Sequence, residues 1–203
     1  MKVLSSMNAY ILAGGKSKRM KEDKAFLTYR GKPFLEVIIE CTSELFDEVF
    51  VVGRTYHSPS IAGSIPDEVS GIGPIAGIFS ALNHTDKHFN FFIAVDYPLA
   101  SRELILLLSS RLLQNQPLFE GLIPFTPDGP HPLFAFYSRS CLSAVERCIA
   151  EKRYDIRCIC RSCRIMNFLL HEELEEEEYR HFRRCFLNIN SNRDYLFLKK
   201  YYI

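Results

Sequence analysis

The sequence carries no surplus of either charge. Its 25 Lys and Arg against 24 Asp and Glu leave a formal net charge of +1 over 203 residues. Bulk electrostatics therefore give no reason to expect affinity for nucleic acid or a membrane surface. No apolar run approaches the roughly 20 residues that span a bilayer. Met1 to Asn8 hold one Lys and no long apolar stretch, so they do not read as a signal peptide. A cytoplasmic setting is the expectation. An internal repeat, a low-complexity linker and a break in composition are missing too. The length suits one compact domain over residues 1–203 with a substantial core. Hydrophobic residues at 47% and charged residues at 24% are ordinary for a globular chain.

Cysteine is plentiful, and its number, seven, is odd. In a chain without an export signal these are expected as reduced thiols. Cys158, Cys160 and Cys163 form a C-x-C-x-x-C run that invites a zinc reading, with Cys141, Cys148, His171 or Cys185 as a fourth ligand. Paired C-x-x-C knuckles are absent, however, and Arg157, Arg161 and Arg164 interleave the run with positive charge. Ordinary thiols are the expectation.

Strand-like and helix-like patterns alternate along the chain. Ala9–Leu12 reads as a buried strand, and Pro33–Phe46 as an amphipathic helix opened by proline. A strand over Glu48–Val52 and a short helix over Pro74–Asn83 follow. Phe89–Val95 is continuously apolar, as in the buried centre of a parallel sheet. Ser101 caps a helix to about Gln114, with Glu103 in its first turn. Gly121–Phe125 and Leu133–Tyr137 read as strands and Cys141–Glu151 as a helix. Such alternation predicts an α/β fold: a Rossmann-like, mostly parallel sheet with helices on both faces. Ligands then collect beyond the carboxyl ends of the strands. Glu172–Glu178, with Arg180, Arg183 and Arg184 behind it, reads as a solvated helix face with internal charge pairing.

The first strand runs into Leu12-Ala13-Gly14-Gly15, followed by Lys16, Lys18, Arg19, Asp23 and Lys24. Adjacent glycines let the backbone approach a ligand with no Cβ in the way. Backbone N–H groups at the end of a strand, backed by Lys and Arg, suit a polyphosphate. A nucleoside triphosphate is the expected ligand. The spacing fits neither a P-loop, which needs Gly-Lys-Ser/Thr, nor a dinucleotide fingerprint, which needs a third glycine. Asp96, at the end of the central apolar strand and stopped by Pro98, is a natural Mg²⁺ ligand facing the same crevice.

Residues Leu12 to Ala25 resemble the signature of the molybdenum cofactor guanylyltransferase family, within the nucleotidyltransferases of nucleotide-diphospho-sugar transferase type. That family carries Leu-Ala-Gly-Gly-x-Ser-x-Arg-Met-Gly-x-Asp-Lys-Ala. Every fixed position matches but one, where Lys21 stands for glycine. The resemblance implies nucleotide contacts from Leu12, Ala13, Gly14, Gly15, Lys24, Asp67, Gly73 and Asp96, with Arg19 and Lys24 as the catalytic cations. It also implies Mg²⁺ on Asp96, which lies in an Asp-x-Pro turn. Gly73-Pro74-Ile75-Ala76-Gly77 resembles the family's Gly-Pro-Leu-Ala-Gly segment, which lines the base pocket. Asp67 upstream can accept hydrogen bonds from the guanine N1 and N2 donors. His131-Pro132-Leu133 resembles the segment facing the acceptor, and Asn188-Ile189-Asn190-Ser191-Asn192 the family's Asn-x-Asn-Thr-Pro. Both asparagines are expected on one face of a strand before a capped helix.

The implied reaction transfers GMP from GTP to molybdopterin, with Mg²⁺ as cofactor and molybdenum cofactor biosynthesis proteins among the partners. Two alternatives stay open: a related transferase using CTP or a sugar phosphate acceptor, and a non-catalytic nucleotide-binding protein.

Overall fold

The computed structural model of the chain describes residues 2–14 and 23–202. Strand β1 (Asn8–Leu12) is buried along its whole length. After it come a small hairpin of β2 (Thr28–Tyr29) and β3 (Lys32–Pro33) and helix α1 (Phe34–Ser43). Next are β4 (Val49–Val52), β5 (Gly63–Ile65), α2 (Pro74–His84), β6 (Phe89–Ala94) and α3 (Arg102–Gln114). The remainder is β7 (Gly121–Thr126), β8 (Gly129–Pro130), β9 (Phe134–Ser138), α4 (Leu142–Ala150), α5 (Arg157–Ser162), β10 (Ile165–Leu169), α6 (Leu170–Glu173), α7 (Glu176–Phe182) and α8 (Asn192–Tyr202). Local chemistry sets the boundaries. Pro74 opens α2, where its missing N–H costs nothing, and Ser101 Oγ accepts from Leu104 N at 3.3 Å to cap α3.

The strands join in the order β10-β7-β9-β6-β1-β4-β5, with β8 on β7. β9 runs antiparallel to both its neighbours, while β6, β1, β4 and β5 are mutually parallel, as are β7 and β10. The expected mostly parallel α/β sheet is therefore present. Alternating side chains supply the two faces. Tyr10 stacks on its register partners Phe50 and Phe92 and meets His84 of α2. One position along, Phe91 stacks on Phe46, beyond α1, with ring centres 5.5 Å apart.

Register fixes where a ligand can sit. Leu12 pairs with Val52 on one side and Ala94 on the other, so β1, β4 and β6 end level. Successive connections leave β1 in opposite directions at this point. A crevice opens there, outside the carboxyl ends of the strands. Gly14, Arg54 and Asp96 emerge along its rim.

Two expectations fail. Residues 187–190 form no strand. They run extended after a short 3-10 turn, and only Ile189 N reaches Asp96 O, at 3.0 Å. A single backbone bond of this kind does not make a ladder. The cysteines are not all thiols either: Cys148 and Cys158 form a disulfide, with Cα atoms 6.2 Å apart. Packing of α5 against the end of α4 brings them within bridging distance. The reading from compartment had no access to that geometry. The acidic run behaves as expected, split between α6 and α7, with Glu176 paired to Arg180 one turn on.

Candidate active site

A 3-10 turn, Lys24–Phe26, directs Lys24 into the crevice. Asp23 caps it, its Oδ1 accepting from Ala25 N at 3.1 Å. The Lys24 ammonium donates to Asp96 Oδ2 at 2.9 Å and to Asn190 Oδ1 at 2.6 Å. The two ion-pair side chains are only 17% and 14% exposed. Burial pushes the Asp96 carboxyl above the ordinary carboxylate range, and the Lys24 ammonium works against that rise. Among the described residues, Asp96 Oδ1 and Asn188 Oδ1 are both buried without a partner. Orphaned buried oxygens are rare in folded proteins, and the Asp96 carboxylate carries one on the same group that accepts from Lys24.

Across β1 lies a second group. Gly14 is exposed, and its backbone touches that of Gly53. A Cβ on Gly53, whose φ is +83°, would fall 2.6 Å from Gly14 Cα, so no side chain fits. The absent Cβ of Gly14 leaves room for this approach and for Asp67 Oδ2, which would lie 3.1 Å away from it. Burial alone raises the Asp67 carboxyl above its ordinary value. Gly73 (φ +81°) heads α2 in open space. Leu12 and Ala13 are buried, and their carbonyls already accept from Val95 N at 3.1 Å and Arg54 Nε at 2.8 Å. Of Leu12, Ala13 and Gly14, Gly14 alone is exposed.

On the far side His131 is fixed by Thr126 Oγ1, 2.9 Å from Nε2, and by the Tyr97 hydroxyl, 3.4 Å from Nδ1. Its ring lies against Phe186, with centres 4.4 Å apart. Burial lowers its pKa from 6.5 to about 4, so the ring is neutral at physiological pH. Burial also raises the Tyr97 hydroxyl, with the Asn188 amide opposing. Asn190 is held by its own helix: Asp194 Oδ2 accepts from Asn190 N at 3.0 Å and Ser191 N at 2.7 Å, and Ser191 Oγ accepts from Asp194 N at 3.3 Å. This reciprocal cap fixes the entry to α8.

The structure thus brings Lys24, Asp96, Asn188 and Asn190 together, places Gly14, Asp67 and Gly73 on the opposite side of β1, and ties His131 to Tyr97 beside them. Gly15, Lys16, Lys18, Arg19 and Lys21 lie outside the described residues. Reading the sequence missed Gly53, Arg54 and Tyr97. Gly53-Arg54 directly after a buried strand was the available signal, since the same logic singled out Gly14 after β1.

Fold and family pattern together define the chain as an α/β nucleotidyltransferase. The 4-diphosphocytidyl-2C-methyl-D-erythritol synthase of Anaerococcus prevotii shares the fold with a TM-score of 0.66 at 16% identity, over 97% of this chain and 96% of that one. Within that class the chain belongs to the family described as the MobA-like NTP transferase domain, whose pattern matches residues 9–166. The molybdenum cofactor guanylyltransferase of Syntrophotalea carbinolica is 31% identical over 195 residues, 93% of this chain and 88% of the relative. Molybdopterin-guanine dinucleotide biosynthesis protein A of Archaeoglobus fulgidus superimposes with a TM-score of 0.79 at 24% identity, over 95% and 97% of the two chains.

Proposed function

We propose that this nucleotidyltransferase moves GMP from GTP to the terminal phosphate of molybdopterin, giving molybdopterin guanine dinucleotide and pyrophosphate. The observation that carries the reading is the Lys24 ammonium, held at 2.9 Å from Asp96 and 2.6 Å from Asn190 across β1 from Gly14. An acceptor phosphate oxygen attacks the α-phosphorus, the bond to the β-phosphate oxygen breaks, and pyrophosphate departs with the electron pair. The acceptor is already an anion, so no general base is needed. The protein has to align it and balance charge.

Each residue has a part in this reading. Gly14 gives the phosphates access to backbone, with Gly15 beside it in sequence. Lys24 turns from Asp96 to the triphosphate and the leaving pyrophosphate, and Arg19, outside the described residues, is the second cation. Asp67 accepts from the guanine N1 and N2 donors, and Gly73 leaves the base room at the head of α2. Asn188, Asn190 and His131 face the acceptor; the neutral His131 ring can hydrogen-bond without adding charge.

Mg²⁺ fits the donors present. Among the described residues no three His, Cys, Asp or Glu side chains gather around one point. Asp96 offers an orphaned carboxylate oxygen, however, and the amide oxygen of Asn190 shares the Lys24 ammonium with that carboxylate. One carboxylate plus neutral oxygens suits a hard cation that takes its other ligands from phosphate and water. Bound there, Mg²⁺ would neutralise phosphate charge. A cytoplasmic setting, action of the whole chain as one domain, and handover to molybdenum cofactor biosynthesis proteins belong to the same reading. Among the described residues no helix is long and apolar enough to cross a membrane.

Melting temperature measured with Mg²⁺ and each of GTP, CTP, ATP and UTP tests the nucleotide, because a ligand that binds only the folded state stabilises it. GTP is expected to raise it most. A shift with CTP alone, or no pyrophosphate release from GTP when molybdopterin is added, rejects the proposal.

A further inference from the structure

Arg54 leaves the end of β4 and crosses the end of β1. The contact of Gly53 with Gly14 makes that path possible, because the two chains meet without side chains between them. Its Nε donates to Ala13 O at 2.8 Å, and one terminal nitrogen donates to Asp23 Oδ2 at 2.7 Å. The guanidinium also lies over the Phe26 ring, 5.5 Å from its centre. One planar group therefore holds the residue before Gly14 and the residue before Lys24, two points ten positions apart in the sequence.

Asp23 divides its work. Oδ2 takes Arg54, while Oδ1 caps the turn that carries Lys24 by accepting from Ala25 N at 3.1 Å. Anything that lets Asp23 rotate loosens that cap and moves the base of the Lys24 side chain. The Arg54 side chain is 19% exposed and that of Asp23 45%, and an ion pair so open to water adds little to global stability. Its effect is geometric. A flexible amine could not reproduce it, since the fork presents two donors at fixed spacing.

We infer that Arg54 is a positioning residue for nucleotidyl transfer: through Ala13 and Asp23 it sets Lys24 relative to the Gly14 backbone, and with it the alignment of the α-phosphate. The inference rests on the nucleotidyl-transfer reading of this crevice. Nothing requires Arg54 itself to touch the substrate.

Displacing a reacting group by about 1 Å can cost on the order of 10²-fold. Arg54→Ala is therefore expected to lower kcat by about 10–100-fold, with a smaller change in the nucleotide KM and a melting temperature close to that of the parent. Arg54→Lys retains charge but not the fork, and is expected to stay low. Asp23→Asn keeps an oxygen for the cap and loses the ionic partner. Combined with Arg54→Ala it should cost no more than the worse single change, as coupled partners do. Full kcat in Arg54→Ala, rescue by Arg54→Lys, or losses that multiply would each overturn the inference. Absence of pyrophosphate release by the parent chain would instead count against the function. Crystal structures of the Arg54→Ala and Asp23→Asn chains decide the clamp without the reaction. Lys24 Nζ should leave Asp96 Oδ2, now 2.9 Å away, and an unchanged pair in both variants refutes the clamp.

Discussion

Two regions of this molecule collect chemically active side chains and treat them in opposite ways. In the crevice beyond β1, β4 and β6, Asp96 and Asn188 each keep an oxygen buried and, among the described residues, unpartnered. In the corner formed by α4, α5 and the start of β10, five of the seven cysteines meet and each is provided for. Cys148 and Cys158 are bonded. Cys141 donates to Glu120 O at 3.5 Å and Cys160 to Ile156 O at 3.6 Å. Cys163 lies against Cys141, a contact that lowers the Cys163 thiol and raises that of Cys141. A self-contained group of reactive atoms is architecture. The crevice group keeps acceptors that the fold itself does not use.

The sharpest way to break this contrast is to remove the crevice groups. Lys24→Ala and Asp96→Ala are each expected to lower turnover by about 10²–10³-fold, the scale of lost transition-state electrostatics. Pyrophosphate release with GTP, Mg²⁺ and molybdopterin measures it, and near-parental turnover in either variant withdraws that residue from the site. Opening the cysteine corner should do the reverse. A bridge between cysteines separated by 10 positions is worth about 2–3 kcal/mol in a chain-entropy account. Replacing Cys148 and Cys158 together by Ser should cost stability of that order in denaturant unfolding while kcat is unchanged. A fall in kcat as large as that of Lys24→Ala would show that the two regions are not separate.

The smallest effect expected lies at the border of the crevice. The pKa of folded His131 is about 4 against an ordinary 6.5. Above pH 6.5 both folded and unfolded chains hold it neutral. Between there and about 4 the unfolded chain takes a proton that the folded one refuses, so stability falls as pH falls. Solvent reaches part of the ring, which keeps the effect to about 1 kcal/mol. Unfolding at pH 7 and pH 5 should show a larger loss for the parent than for His131→Gln. Equal losses would mean that the ring is not held neutral by its surroundings.

Legibility from sequence followed the same divide. β1, β6 and the Ser101 cap were readable because an unbroken apolar run, a glycine turn or a hydroxyl ahead of a helix has one local meaning. Lys24 and Asp96 were readable as members of a motif, but their pairing with Asn190 depends on the register of β1 with β6 and on the reciprocal cap at Ser191 and Asp194. β5 has only three residues, one of them buried, and β10 is mostly half-buried; neither leaves a periodic trace. Cysteine pairing is a property of packed helices and cannot be deduced from spacing. Arg54 had only its place after a buried strand as a signal, because its partners, Ala13 and Asp23, are chosen by how two strand ends approach.

The bond between Lys24 and Asp96 also sets a condition on whatever enters the crevice. An anion arriving alone must pull Lys24 away and strand a buried carboxylate. A cation arriving alone must displace the ammonium and leave it facing its replacement. A neutral molecule gains nothing from either. Only a visitor that brings a positive and a negative centre at the right separation exchanges one internal bond for two new ones. The pair is thus a lock with two pins, and it selects for composite ligands before any base or acceptor is read.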